Sequence, residues 1–141
     1  MIYITRKEHF NAAHKLYNSN FSYEKNLELY GTCSNENWHG HNYDLIVTVK
    51  GNINSETGMF INLKTLSDFI KLEILEKVDH KNLNLDVPFL EGKVTTTENV
   101  VIEFWKILDK KLRLLNDVNC QLHCIKLYET PRNFVEYYGE K

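Results

Sequence analysis

The chain has 141 residues, a formal charge of -2, and apolar and charged fractions of 43% and 26%. That length suits one domain with a substantial core, expected to span residues 1–141, and the near-neutral balance offers no general attraction to nucleic acid or anionic lipid. No segment approaches membrane-spanning length, and the opening "MIYITRKEHF" lacks the apolar core of a signal peptide, so a cytoplasmic location is expected.

Ile2 to His14 reads as a first strand. A polar, partly helical excursion follows from Asn18 to Tyr30, with Ser22 as its polar start and Gly31 as its stop. The second strand spans Gly40 to Ile53, where Tyr43, Leu45, Val47 and Val49 alternate with Asp44, Ile46, Thr48 and Lys50. A period of two marks a sheet with one face more buried than the other. After the turn "NSETGM" the period changes. Leu63, Leu66, Phe69, Ile70 and Ile74 form a helical stripe behind a capping Asn62. A second helix opens at "TTTENV", where Thr95 and Glu98 have the spacing of a capping box. Its apolar face is Val100, Val101, Phe104, Trp105, Leu108 and Leu112. Two closing strands, Gln121 to Glu129 and Asn133 to Gly139, form a hairpin through "TPRN". The order β-β-α-α-β-β predicts an α+β fold, an antiparallel sheet with both helices on one face.

The three cysteines, Cys33, Cys120 and Cys124, are an odd count in a chain without a secretion signal, which argues against a disulfide framework. Cys120 and Cys124 fall on one predicted strand, roughly 13 Å apart. That is too far to share a disulfide or a zinc ion, so both are expected to be buried core or interface thiols.

"NENWHGHNYD" carries the most chemistry. His39 and His41 lie at i and i+2 of a strand and so point to one face. If the first two strands form a hairpin, His14 at the end of the first lies beside them. Three imidazoles with an open position suit a zinc ion that does chemistry. H-x-H alone is also a common accident of sequence, and it is the third histidine at a matching strand end that strengthens the metal reading. His9 and His123 have no such partners and read as ordinary residues. Cys33 stands six residues before His39 in a polar loop, either an inert thiol or, near a metal or an imidazolium, a thiolate able to act as a base. In "VDHKNLNLDV", Asp79 could orient and activate His80. Adjacent strand residues point opposite ways, so that pair needs a turn or a third group. Otherwise Asp79, His80 and Glu129 read as solvated polar residues at element ends.

Five motifs, "FNAAH", "YGTCSNENWHGHNY", "VDHKNLNLDVPF", "TTTENV" and "YETPRN", stand in one order across Ile2 to Gly139. Together they resemble the 6-pyruvoyl-tetrahydropterin synthase family, which includes the 6-carboxy-tetrahydropterin synthase of queuosine biosynthesis. The resemblance implies the tunnelling fold, whose subunits form a trimeric barrel that usually doubles to a hexamer, with the active site between subunits. It implies His14, His39 and His41 as zinc ligands and Cys33, Asp79 and His80 as catalytic residues. It further implies Glu129 as the carboxylate anchoring a pterin, with Thr96 and Thr97 as pterin contacts. The implied substrate is 7,8-dihydroneopterin triphosphate, and the implied product a 6-pyruvoyl or 6-carboxy tetrahydropterin. Glu36, three residues before His39, has the spacing of a glutamate that replaces the cysteine in members releasing 6-hydroxymethyl-dihydropterin for folate synthesis. It also reads as a solvated loop residue. A non-catalytic zinc- or pterin-binding module of the same fold would not need the base set of Cys33, Asp79 and His80. A zinc hydrolase would want an H-E-x-x-H carboxylate that the sequence lacks.

Overall fold

The computed structural model describes residues 1–115 and 119–140. Two strands of 13 residues, β1 (Ile2–His14) and β2 (His39–Gly51), pair antiparallel over their whole length, from Ile2 opposite Gly51 to His14 opposite His39. Helix α1 (Tyr23–Tyr30) sits in the connection between them, as predicted. The Ser22 side chain accepts from the Lys25 amide, and Gly31 ends the helix at φ 55°, a conformation glycine adopts at little cost.

The second predicted helix runs as α2 (Leu63–Ile70), a wider π turn (Lys71–Leu75) and a short α3 (Glu76–Val78), with Asn62 capping as expected. Leu66, Ile70, Ile74 and Val78 are all fully buried at intervals of four. Steps of four drift about 40° each around an α-helix of 3.6 residues per turn, and the π turn takes part of that drift back, keeping the line against the core. Leu63, placed on the buried stripe by periodicity, is instead exposed, because it occupies the first turn before the helix reaches the sheet.

Helix α4 (Thr97–Leu114) buries Val100, Val101, Phe104, Leu108 and Leu112, with Trp105 partly covered, as its periodicity predicts. The expected capping box does not form. Thr96, not Thr95, is the N-cap and accepts from the Asn99 amide, while the Asn99 side chain donates to the Val94 carbonyl. Thr95 is buried, its hydroxyl turned to Asn84 and the Lys15 carbonyl. Glu98 lies exposed.

The closing hairpin is β4 (Gln121–Tyr128) and β5 (Phe134–Tyr137). An additional two-residue strand, β3 (Lys81–Asn82), runs parallel to β1 beside Ala12 and Ala13. The sheet order is β3-β1-β2-β4-β5, so the mostly antiparallel α+β layout agrees with expectation and β3 is an unpredicted parallel edge. Both long helices cover one face, which carries Phe10, Tyr43, Leu45, Val47 and Val49. On that face Phe10 meets Phe104 of α4, and Glu8 accepts from Ser67 of α2. The register of β4 slips opposite Thr48 and Val49, with His123 as the extra residue. Below the slip Leu122 is buried, and above it Cys124 and Ile125 are buried on successive positions. Cys120 and Cys124 are both buried, as expected. Among the described residues no helix is long and apolar enough to cross a membrane.

Candidate active site

The β1–β2 register sets His14 directly opposite His39, and His41 follows two residues along β2 on the same face. This is the helix-covered face at the end of the sheet where the core gives way to polar residues. The chain enters β2 through Trp38 at φ 68°, a left-handed conformation that costs a residue with a Cβ about 1–2 kcal/mol. That turn stands immediately before His39, and the ammonium of Lys15 lies 4.4 Å over the Trp38 ring.

The three imidazoles stand edge to face, with centroids 4.6, 5.1 and 4.9 Å apart for the 14–39, 14–41 and 39–41 pairs. His14 is 1% exposed, and its Nδ1 lies 2.9 Å from the Thr95 carbonyl. A carbonyl only accepts, so Nδ1 carries a proton and Nε2 is the atom left facing the cluster. Both ring nitrogens of His39 and the Nε2 of His41 are buried without a hydrogen-bond partner. Buried polar atoms without partners are uncommon and call for an explanation such as an absent ion.

Glu129, one residue past β4, completes the group. Its Oε1 lies 2.9 Å from His41 Nε2 and 3.6 Å from His14 Nε2, and its Oε2 accepts from the Thr97 hydroxyl at 2.7 Å. One ligand atom from each of His14, His39, His41 and Glu129 falls within 4.8 Å of the others. Burial and then the neighbouring rings lower the pKa of His39, and burial lowers that of His41 against the pull of Glu129. Both therefore favour the neutral imidazole, the form that binds metal. Contact with His14 and then the Thr97 hydroxyl hold the Glu129 carboxyl down at about 2 although burial opposes them. The buried Tyr43 hydroxyl, 3.5 Å from His14 Nε2, is kept protonated mainly by its burial. Three imidazoles beside an ionised carboxylate are a donor set that fits zinc.

Cys33 lies in the 3-10 turn Gly31–Ser34 that follows α1, half-buried and free. Its carbonyl accepts from the Leu16 amide at 2.8 Å, which ties the turn to the chain just beyond His14. Glu36 is exposed in the turn before β2. The turn required for Asp79 and His80 to cooperate is present. His80 adopts φ 58°, and its Nδ1 reaches Asp79 Oδ2 at 3.1 Å. Asp79 Oδ1 accepts from the Asn11 amide at 2.9 Å, and the His80 amide donates to the Asn11 carbonyl at 2.7 Å, fixing the pair to the edge of β1. His80 borders an open cleft of about 460 Å³ together with Asn11, Ala13, Gly40, His41 and Asn42. One chain thus gathers His14, His39, His41, Glu129 and Thr97, and the Asp79–His80 pair stands outside that group at the edge of β1. The Thr96 hydroxyl is occupied by its cap. Sequence reading missed Thr95 as the residue orienting His14 and Tyr43 as its neighbour. The run of three threonines before α4 was the available signal for the first, and the i+2 step beyond His41 for the second.

An α+β domain with a histidine–carboxylate group able to hold a metal ion is the class that this geometry defines. The family model for 6-pyruvoyl tetrahydropterin synthase matches residues 3–140. The human 6-pyruvoyl tetrahydrobiopterin synthase is 44% identical over 137 residues, 97% of this chain and 91% of that protein. The Caenorhabditis elegans 6-pyruvoyl tetrahydropterin synthase structure superposes with a TM-score of 0.89 at 36% identity, covering 99% of this chain and 96% of that one. The 6-carboxy-5,6,7,8-tetrahydropterin synthase of Haemophilus influenzae is more distant, 26% identical over 76% of this chain and 84% of its own. The chain belongs to the 6-pyruvoyl tetrahydropterin synthase family, enzymes of the lyase type in tetrahydropterin synthesis.

Proposed function

We propose that this chain is a zinc-dependent lyase converting 7,8-dihydroneopterin triphosphate to 6-pyruvoyl-tetrahydropterin in the cytoplasm. The observation that carries the reading is the convergence of His14, His39 and His41 beside Glu129 and Thr97, with ring nitrogens buried and unpartnered. A zinc ion held there would supply Lewis-acid chemistry to the side-chain oxygens of the substrate, easing proton removal from the adjacent carbon. Cys33, as thiolate, takes that proton and returns it, and the triphosphate leaves with its bonding electrons. His80, oriented by Asp79, supports the base. In this reading the pair serving each Cys33 comes from a neighbouring copy. Glu129, with Thr96 and Thr97, receives the pterin, whose amino and ring N–H groups form a flat donor pair matched to a carboxylate.

The greater identity to the animal enzyme than to the bacterial carboxy enzyme favours the pyruvoyl product over 6-carboxy-tetrahydropterin and a queuosine role. Product analysis tests this. Purified protein with dihydroneopterin triphosphate is expected to give the pyruvoyl pterin by chromatography and mass spectrometry. Cys33→Ala is expected to abolish its formation while retaining zinc, and Glu36→Gln to change the rate little. Release of 6-hydroxymethyl-dihydropterin by Cys33→Ala, lost in Glu36→Gln, would instead make Glu36 the base and place the protein in folate precursor synthesis.

A further inference from the structure

The connection between β1 and β2, residues 15–38, supplies no side chain to the hydrophobic core, yet it carries Cys33. Apolar packing therefore does not fix the thiol in place. Helix α1 lies within this connection with Tyr23, Leu27 and Leu29 exposed, and of its eight residues only Asn26 is buried, at 0% exposure. A fully buried asparagine on an otherwise solvated helix reverses the usual amphipathic arrangement. Every hydrogen bond of its side chain goes to backbone. Oδ1 accepts from the Asn18 amide at 2.8 Å, and Nδ2 donates toward the Asn18 and Ser22 carbonyls at 3.0 Å each, with that of Phe21 at 3.4 Å. Two residues before Asn18, the Leu16 amide donates to the Cys33 carbonyl at 2.8 Å. The chain leaving β1 is thus tied twice to the chain returning toward β2, once at Cys33 and once through the side chain of Asn26.

We propose that Asn26 is the positioning residue of Cys33, holding the turn that carries the thiol against the chain just beyond His14. This rests on the reading of Cys33 as the base, and it adds the means by which a loop outside the core places that base. Proton transfer needs its two partners within about 2.6–3.2 Å, and a displacement of about 1 Å can lower a rate about a hundredfold. Hydrogen bonds supply that precision where apolar packing does not, because a buried amide whose partners are all backbone groups admits few arrangements of the segments it joins. Without the Asn26 side chain the Asn18 amide loses its acceptor, and the Leu16–Cys33 bond joins the two segments without that support. Because the core takes nothing from residues 15–38, the same change leaves the domain folded.

Asn26→Ala and Asn26→Asp are to be compared with the wild type as zinc-loaded proteins turning over dihydroneopterin triphosphate. Asn26→Asp keeps an acceptor for the Asn18 amide but removes both N–H donors. In each variant kcat is expected to fall about tenfold to a hundredfold, while KM, zinc content and the thermal midpoint by circular dichroism stay near those of the wild type. A residue serving stability alone gives the reverse, a lowered midpoint with kcat per folded chain intact. A second measurement follows the thiol itself. Alkylation of Cys33 by iodoacetamide in substrate-free protein, located by mass spectrometry, is expected to quicken several-fold as the half-buried thiol gains access. Asn18→Ala keeps the backbone groups that Asn26 holds and gives up only the acceptor for the Asn20 amide, so it is expected to behave as the wild type. Wild-type kcat in both Asn26 variants would overturn the proposal, as would an unchanged alkylation rate, or a fall in kcat matched by loss of zinc or of the folded state. Asn26→Ala that does not fold would overturn it too, since the segment would then belong to the fold of the domain. Cys33→Ala tests the underlying reading separately. Turnover in that variant removes Cys33 as the base, whereas the alkylation rate still reports whether Asn26 places its turn.

Discussion

His39 offers two buried nitrogens and has no hydrogen-bond partner for either. Desolvating an imidazole without compensation is costly, and coordination is the compensation its surroundings provide. His39→Ala is therefore expected to lose metal and activity together, because two histidines do not hold an ion in a site built for three. Full zinc content by metal analysis in that variant would remove His39 from the ligand set. Asp79 permits a different measurement. A backbone hydrogen bond from Asn11, followed by its contacts with His80, lowers its pKa against the effect of burial. A carboxyl depressed in the folded state contributes stability above the unfolded value, about 3.9, and that contribution is lost as the pH falls through the folded value. Asp79→Asn keeps an acceptor for Asn11 but cannot titrate. It is expected to be less stable than the wild type near neutrality, the gap narrowing between about pH 5 and the folded pKa. Acid titrations of apo protein followed by circular dichroism check this, and a constant gap would contradict it. Asp79 is partly solvated, so the effect is small.

At the scale of elements, periodic patterns were legible and singular ones were not. The alternation through β2 fixed which face holds His39 and His41, and equal strand lengths made the hairpin that brings His14 to them. The start of α4 is displaced by one residue because three consecutive threonines can each cap a helix. Tertiary demand decided among them, since Thr95 is drawn inward toward His14 and Asn84 and Thr96 is left to cap. Thr96→Ala should accordingly lower the stability of the apo protein by about 1 kcal/mol. Glu98→Ala should cost only the few tenths due to a carboxylate at a helix N-terminus. Denaturant melts of both variants separate the cases, and equal losses would restore the capping box. β3 has two residues, too few for any period to appear. Glu129 reaches His14 only through the β2–β4 pairing, whose register depends on the slip at His123. No local pattern announces a bulge, so the carboxylate entered the sequence reading by resemblance and entered the metal cluster only by geometry.

The molecule as a whole ends in two unlike edges. Among the described residues β3 pairs with β1 only at Ala12 and Ala13, and no strand lies along the outer side of β1 from Ile2 to Asn11. The opposite edge is the four-residue β5. Large apolar side chains lie exposed at both, Ile2 and Tyr3 on β1 and Phe134 and Tyr138 at β5. Unpaired edges of this length invite another chain. Joining one kind of edge to the other repeats head to tail, and such a contact closes into a ring when the rotation per copy permits. Ring closure also resolves the division of the site. His80 is 78% exposed and Asp79 40%, both at the β1 edge and outside the histidine–carboxylate group of their own chain. A neighbour docked at that edge would receive them. The expected assembly is a trimer, most simply doubled to a hexamer, with three or six times the 16.7 kDa chain mass. Light scattering across a dilution series, with turnover measured on the same samples, is the check. Mass and activity per chain are expected to fall together, since each separated copy keeps its metal ligands and loses the Asp79–His80 pair that serves its Cys33. A monomer at micromolar concentration with full activity would refute both the assembly and the shared site.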